Sequence, residues 1–172
     1  MIVNGKELLL RTPIVDMVSN KMTAHGTSYG LGEAGYDIRI KQEVAFRGRD
    51  YGKRVITVSD GLGGIKQKHG RFALASAMER FTMPNNLTGI VHDKSTWARR
   101  GLSVFNTVIE PGWEGFLTLE LVYHGEGDLV IPAGSGIAQV IFHFTIEEAR
   151  YTGKYQHQAD KPVAAIATPS QE

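Results

Sequence analysis

The sequence predicts a mainly β fold, an antiparallel barrel or jelly roll with short helical segments. Three observations predict it. Short β-favouring runs recur at near-regular spacing in the second half, and Gly/Pro turns separate them. One run, Phe116 to Tyr123, alternates in strand fashion: Leu117, Leu119 and Leu121 fall on one face, Thr118 and Glu120 on the other. The 20 glycines in 172 residues supply many turn positions.

The elements follow in order. Residues 24–35 are Gly-rich and polar and read as a loop leading into an alternating strand, Tyr36 to Ile40. Arg54 to Ser59 alternates similarly, and Asp60 to Gly64 reads as a loop. Phe72 to Met83 stays open between two readings, because its Ala, Met and Glu favour helix whereas Pro84 could equally end a strand. Leu102 to Ile109 is short and β-favouring, and Pro111-Gly112 marks a turn. A second turn, Gly125 to Asp128, precedes Leu129 to Ile131, and Pro132-Ala133-Gly134 separates that run from Ile137 to Phe144. Glu147 to Tyr151 reads as a brief helical turn. The polar tail, about 153–172, is expected to be mobile unless a ligand or a neighbour holds it.

A chain of 172 residues and 18.9 kDa fits one domain, 1–172. With 19 Lys+Arg against 18 Asp+Glu the net charge is +1, so bulk charge does not suggest a nucleic-acid partner. A small anionic ligand needs only a local cluster. There are no cysteines, which removes disulfides, cysteine nucleophiles and zinc sites built on thiolates, and fits the cytoplasm. The N-terminus shows no apolar signal region, and no stretch approaches the roughly 18 apolar residues of a membrane span. A cytoplasmic protein without membrane partners is expected.

Three segments carry candidate chemistry. Lys94-Ser95-Thr96-Trp97-Ala98-Arg99-Arg100 combines cations with two hydroxyls, which suits a phosphate chain and equally describes a solvated basic turn. Glu120, mid-strand among aliphatic neighbours, is placed either to activate water beside a pocket or to face solvent from a half-exposed sheet. Glu110, at the entry of a turn, could bind a sugar hydroxyl or cap the turn. In the tail, Tyr151, Lys154, Tyr155 and Gln158 offer aromatic faces, a cation and an amide that could close over a base and a phosphate, or simply fray. The six histidines are scattered without ligand spacing, and no P-loop, dinucleotide fingerprint or serine-hydrolase elbow occurs.

Taken together, GYDIRI (35–40), KSTWARRGL (94–102), IEPGWEGFLTLEL (109–121) and GKYQHQ (153–158), with IPAGSGIAQVIF (131–142), resemble the dCTP deaminase family of the dUTPase-like trimeric fold. The resemblance lies mostly in roughly residues 71–158, to which GYDIRI adds from a more loosely fitting N-terminal third. It implies a distorted barrel of dUTPase-like type and zinc-independent hydrolytic deamination of dCTP to dUTP and ammonia. By that resemblance Glu120 is the general acid/base, with Ser95 and Arg99 beside the reacting base. Lys94, Ser95, Thr96 and Arg99 would hold the triphosphate, and Glu110 the deoxyribose. Thr118 and Leu119 form the strand edge beside the base, and Tyr151, Lys154, Tyr155 and Gln158 belong to the closing tail. Magnesium is expected to arrive with the triphosphate, no protein metal ligand is expected, and a homotrimer would build each site between subunits. Two alternatives accompany this reading: a dUTPase or bifunctional enzyme releasing dUMP and pyrophosphate, in which Glu110 activates water, and a non-catalytic nucleotide-binding regulator. Eight residues separate Gly101 from Glu110, a short hairpin for such enzymes, so a modified cytosine nucleotide is a further candidate substrate.

Overall fold

The structure, a computed structural model, describes residues 1–50, 52–105 and 107–167. The elements begin with β1 (Ile2–Val3), α1 (Gly5–Arg11), β2 (Lys21–Ala24), β3 (Thr27–Leu31), β4 (Tyr36–Arg39) and β5 (Glu43–Asp50). Next come β6 (Lys53–Ser59), β7 (Ile65–His69), β8 (Phe72–Thr82), β9 (Leu87–Asp93) and α2 (Ser95–Ala98). The chain continues with β10 (Leu102–Val104), β11 (Val108–Ile109), β12 (Glu114–Tyr123), β13 (Leu129–Ile131) and β14 (Gly136–Phe144).

The strands form three antiparallel sheets, as the alternation predicts. One runs β11-β9-β14-β4-β3-β2, with β1 added on β14; the second is β10-β12-β8; the third is β13-β5-β6-β7. The sheets are not joined into one closed barrel. Their inner faces share a single core, which includes Ile38, Val140 and Phe142 from the first sheet, Ala75, Leu119 and Leu121 from the second, and Phe46 and Ile56 from the third. Each of these residues is at most 2% exposed. Burying such apolar surface at roughly 25 cal/mol per Å² is what drives the three sheets together.

Four elements differ from the sequence reading. The stretch 24–35 is largely not a loop: β2 and β3 pair across the two-residue turn His25-Gly26, both at positive φ, as tight hairpins require. Its glycines serve close backbone approach, since a Cβ on Gly35 would stand 2.1 Å from the Val140 carbonyl oxygen. Phe72 to Thr82 is a strand, because pairing with β12 overrides the helix-favouring composition. Its inward alanines 73, 75 and 77 are fully buried, on the strand's core face. Residues 147–151 form no helical turn; Ala149 N–H donates to the Asn85 carbonyl and Tyr151 N–H to that of Pro111, pinning the segment across the β9 and β12 turns. The run 102–109 is split into β10 and β11, which pair with different sheets. Helix α1 and strands β5 and β7 went unread. In α1 only Leu8 is buried, so it lacks the apolar stripe that would reveal it.

Candidate functional site

The second sheet positions the site. β12 and β8 are register partners over most of their length, with an irregularity between Phe116 and Thr118. Leu117, Leu119 and Leu121 point into the core, so Thr118 and Glu120 face outward, as the alternation requires. Glu120 stands directly opposite Leu74, and Thr118 opposite Ser76.

Over this outer face lies a cavity of about 370 Å³. Of the expected residues it gathers Glu110, Thr118, Glu120, Tyr151, Tyr155 and Gln158. Phe72, Leu74, Val108, Ile109, Trp113 and Val163 complete an apolar wall around the two acids. Phe72 and Phe105 extend that wall, their ring centroids 6.4 Å apart. Glu120 is half-buried, and burial raises its pKa above the ordinary glutamate value. Among the described residues no side chain hydrogen-bonds to it and no cation pairs with it. It is therefore a carboxyl that keeps its proton to higher pH than an ordinary glutamate. Glu110 is exposed at the entry of the turn, its carbonyl accepting the Trp113 N–H.

The tail covers this cavity. His157 N–H donates to the Glu114 carbonyl, and Phe116 N–H donates to the carbonyl of Gln158. The Trp113 indole Nε1–H donates to the Tyr155 carbonyl at 2.7 Å. Further along, Val163 N–H donates to Thr118 Oγ1 at 3.0 Å, and Ile166 N–H to the Tyr155 hydroxyl at 3.1 Å. Lys154 does not line the cavity; its Nζ donates to the Ile166 carbonyl at 2.6 Å. Leu119, 2% exposed, turns its side chain into the core and does not line the cavity.

The basic segment is placed elsewhere. Lys94, Ser95, Thr96 and Arg99 line no part of this cavity. Ser95, Thr96 and Arg99 are exposed, while Trp97 is buried and donates from Nε1 to the Gly136 carbonyl at 2.7 Å. Lys94 is drawn inward: its Nζ lies 2.5 Å from Asp37 Oδ2 and 2.8 Å from Ser28 Oγ. Within one chain the acids and the exposed cation of the motif are thus kept apart. Phe72, Leu74, Trp113 and Val163 were not singled out in the sequence. The first two had a readable signal, since Phe72 and Leu74 alternate with buried alanines, but the composition of 72–83 masked the strand period.

Comparison with known proteins shows the family and the fold. The family model described as dCTP deaminase-like matches residues 11–145. A dCTP deaminase of Protochlamydia amoebophila is 37% identical over 146 residues, covering 76% of this chain and 77% of the relative. One of Chlamydia caviae is 37% identical over 147 residues, covering 76% of each. In fold, the chain resembles the crystal structure of 2'-deoxycytidine 5'-triphosphate deaminase from Agrobacterium tumefaciens, with a TM-score of 0.55 at 11% identity, covering 86% of this chain and 50% of that one. It also resembles a dUTPase of Staphylococcus bacteriophage 80alpha, with a TM-score of 0.50 at 15% identity, covering 78% of this chain and 88% of that one. The antiparallel sheets and these likenesses define a mainly β fold of the dUTPase-like kind. The chain belongs to the dCTP deaminase-like family.

Proposed function

We propose that the protein deaminates dCTP, converting dCTP and water to dUTP and ammonia without zinc. The observation that supports this reading is Glu120: a half-buried carboxyl with a raised pKa, facing an apolar cavity and paired with no cation among the described residues. Ionised Glu120 takes a proton from water as the water oxygen bonds to C4 of cytosine and the electron pair of the C4–N3 double bond moves to N3. The same carboxyl then delivers that proton to the 4-amino group; the exocyclic C4–N4 bond breaks and ammonia leaves, while the added oxygen becomes the C4 carbonyl and its remaining proton passes to N3. A raised pKa suits both steps, because the group must be a base before attack and an acid after it.

Ser95 and Arg99 polarise the base and orient the water, while Thr96 joins them at the triphosphate. Their segment does not reach this cavity in one chain, so in our reading a homotrimer brings a neighbour's segment to it. Glu110 meets the deoxyribose, Thr118 and the backbone at Leu119 read the base edge, and Tyr151, Lys154, Tyr155 and Gln158 close over the nucleotide. Among the described residues no group of three or more His, Asp or Glu could cage an ion. In this reading magnesium comes as part of the substrate, held through its phosphates. The chain has no cysteine, so thiolates cannot supply a zinc centre.

The test is a product assay with magnesium, supplying dCTP and dUTP separately. Formation of dUTP and ammonia from dCTP is expected. Pyrophosphate and dUMP from dUTP, with no ammonia from dCTP, would move the chemistry to Glu110 and overturn the proposal. Binding without turnover of either nucleotide would leave a regulator.

A further inference from the structure

The sequence offers Lys94 as a phosphate ligand, yet the fold uses its charge differently. Asp37 lies on β4 and Ser28 on the adjacent β3, and both meet Lys94 at the end of β9. The Lys94 ammonium donates to Asp37 Oδ2 and to Ser28 Oγ, and Ser28 Oγ–H donates to the same Oδ2 at 2.8 Å. The Asp37 side chain is 5% exposed and that of Lys94 is 11% exposed. Asp37 Oδ1 is buried with no hydrogen-bond partner among the described residues. A carboxylate so enclosed needs its cation, because an ionised group left alone in low dielectric costs several kcal/mol.

The surrounding backbone leaves little slack. A Cβ on Gly136 would stand 1.8 Å from the Ser28 carbonyl oxygen, and Gly136 also accepts the Trp97 indole N–H. Two bolts, Lys94 to Asp37 and Trp97 to Gly136, therefore tie the two ends of the 94–97 turn to different strands. By contrast, the side chains of Ser95, Thr96 and Arg99 are exposed and make no hydrogen bond among the described residues.

We propose that Lys94 is a positioning residue, the internal counter-ion of Asp37, and that it anchors the basic turn instead of contacting the triphosphate. The proposal rests on the dCTP reading above. To reach a phosphate, Lys94 would have to abandon a carboxylate whose second oxygen already lacks a donor. Ser95, Thr96 and Arg99 need break nothing.

A charge-rescue experiment tests it: kinetics on Mg·dCTP for wild type, Lys94→Met, Asp37→Asn and the double variant, with thermal melting as the folding control. Each single change strands one buried charge, so KM rises at least about tenfold. The double change removes both charges and brings KM back to within about threefold of wild type, as neutral replacements of buried ion pairs commonly do. A folded double variant as weak as Lys94→Met would overturn the proposal, because that is the result if the ammonium itself grips phosphate. Should Asp37→Asn not fold, the double variant against Lys94→Met decides alone. Wild type that leaves dCTP unchanged would refute the deaminase reading instead, and calorimetric binding of Mg·dCTP to the same variants then supplies the rescue comparison.

Discussion

Glu79 and Glu120 stand on the paired strands β8 and β12, and burial raises the pKa of both, yet their surroundings differ in kind. Glu79 is on the inner side, 4% exposed, with Arg39 Nε–H donating to Oε1 and Arg39 N–H to Oε2, each at 2.8 Å. Glu120 is on the outer side, above a cavity, with no such partner among the described residues. A buried acid that has been given its cation stitches β8 to β4. A half-buried acid left without one keeps its proton to higher pH than usual and faces the cavity. The Lys94–Asp37 pair falls on Glu79's side of this divide although it sits in the motif that suggests phosphate binding.

The comparison breaks most sharply at Glu120 itself. Glu120→Gln keeps shape and removes proton transfer, so kcat for deamination should fall at least about 1,000-fold, roughly 4 kcal/mol of barrier. Ammonia release measured beside wild type checks this. The same variant should melt slightly higher at neutral pH. Because the folded-state pKa is raised, the carboxyl's contribution is most favourable below the unfolded value and declines as pH rises through the raised one. The thermal gain of the variant should therefore fade on acidification. A lower melting temperature at neutral pH would show that Glu120 has a structural partner.

Arg39→Met should have the opposite profile: a loss of stability, at about 3–5 kcal/mol, because it strands the Glu79 carboxylate. With Arg39 gone, the influences that lower the Glu79 pKa disappear and burial dominates. The carboxyl then resists ionising still more, so the loss should deepen as pH rises past the already raised wild-type Glu79 pKa. Chemical denaturation at several pH values measures it. A loss independent of pH would mean that the ion pair is not what Arg39 contributes.

Much of this contrast could be read in the sequence, for a physical reason. The second sheet buries one face, so β12 had to alternate, and its alternation placed Glu120 opposite to the core leucines without any structure. Glu79 escaped because Phe72 to Thr82 carries helix-forming residues whose strand identity comes from pairing with β12. The ion pair of Lys94 with Asp37 was not legible, because the two are 57 residues apart and a composition window sees only the local cation cluster. The hairpin of β2 and β3 was mistaken for a loop because glycines needed for close approach look like glycines needed for turns. The tail's contacts, such as Trp113 to Tyr155, depend on where a chain end settles and leave no periodic trace.

The smallest effect should come from the seam between the acid's cavity and the tail. Thr118→Val keeps the side-chain volume and removes the acceptor for Val163 N–H, one hydrogen bond worth about 1 kcal/mol. If the tail holds the nucleotide, KM for dCTP should rise about fivefold while kcat stays unchanged, since Glu120 is untouched. Val163→Pro removes the donor instead, because proline has no N–H, and leaves the threonine hydroxyl in place. Equal losses in the two variants would assign the whole effect to tail docking. A larger loss in Thr118→Val is the result expected if the hydroxyl also reads the base edge, as proposed above, whereas equal losses would leave Thr118 as the tail's anchorage alone.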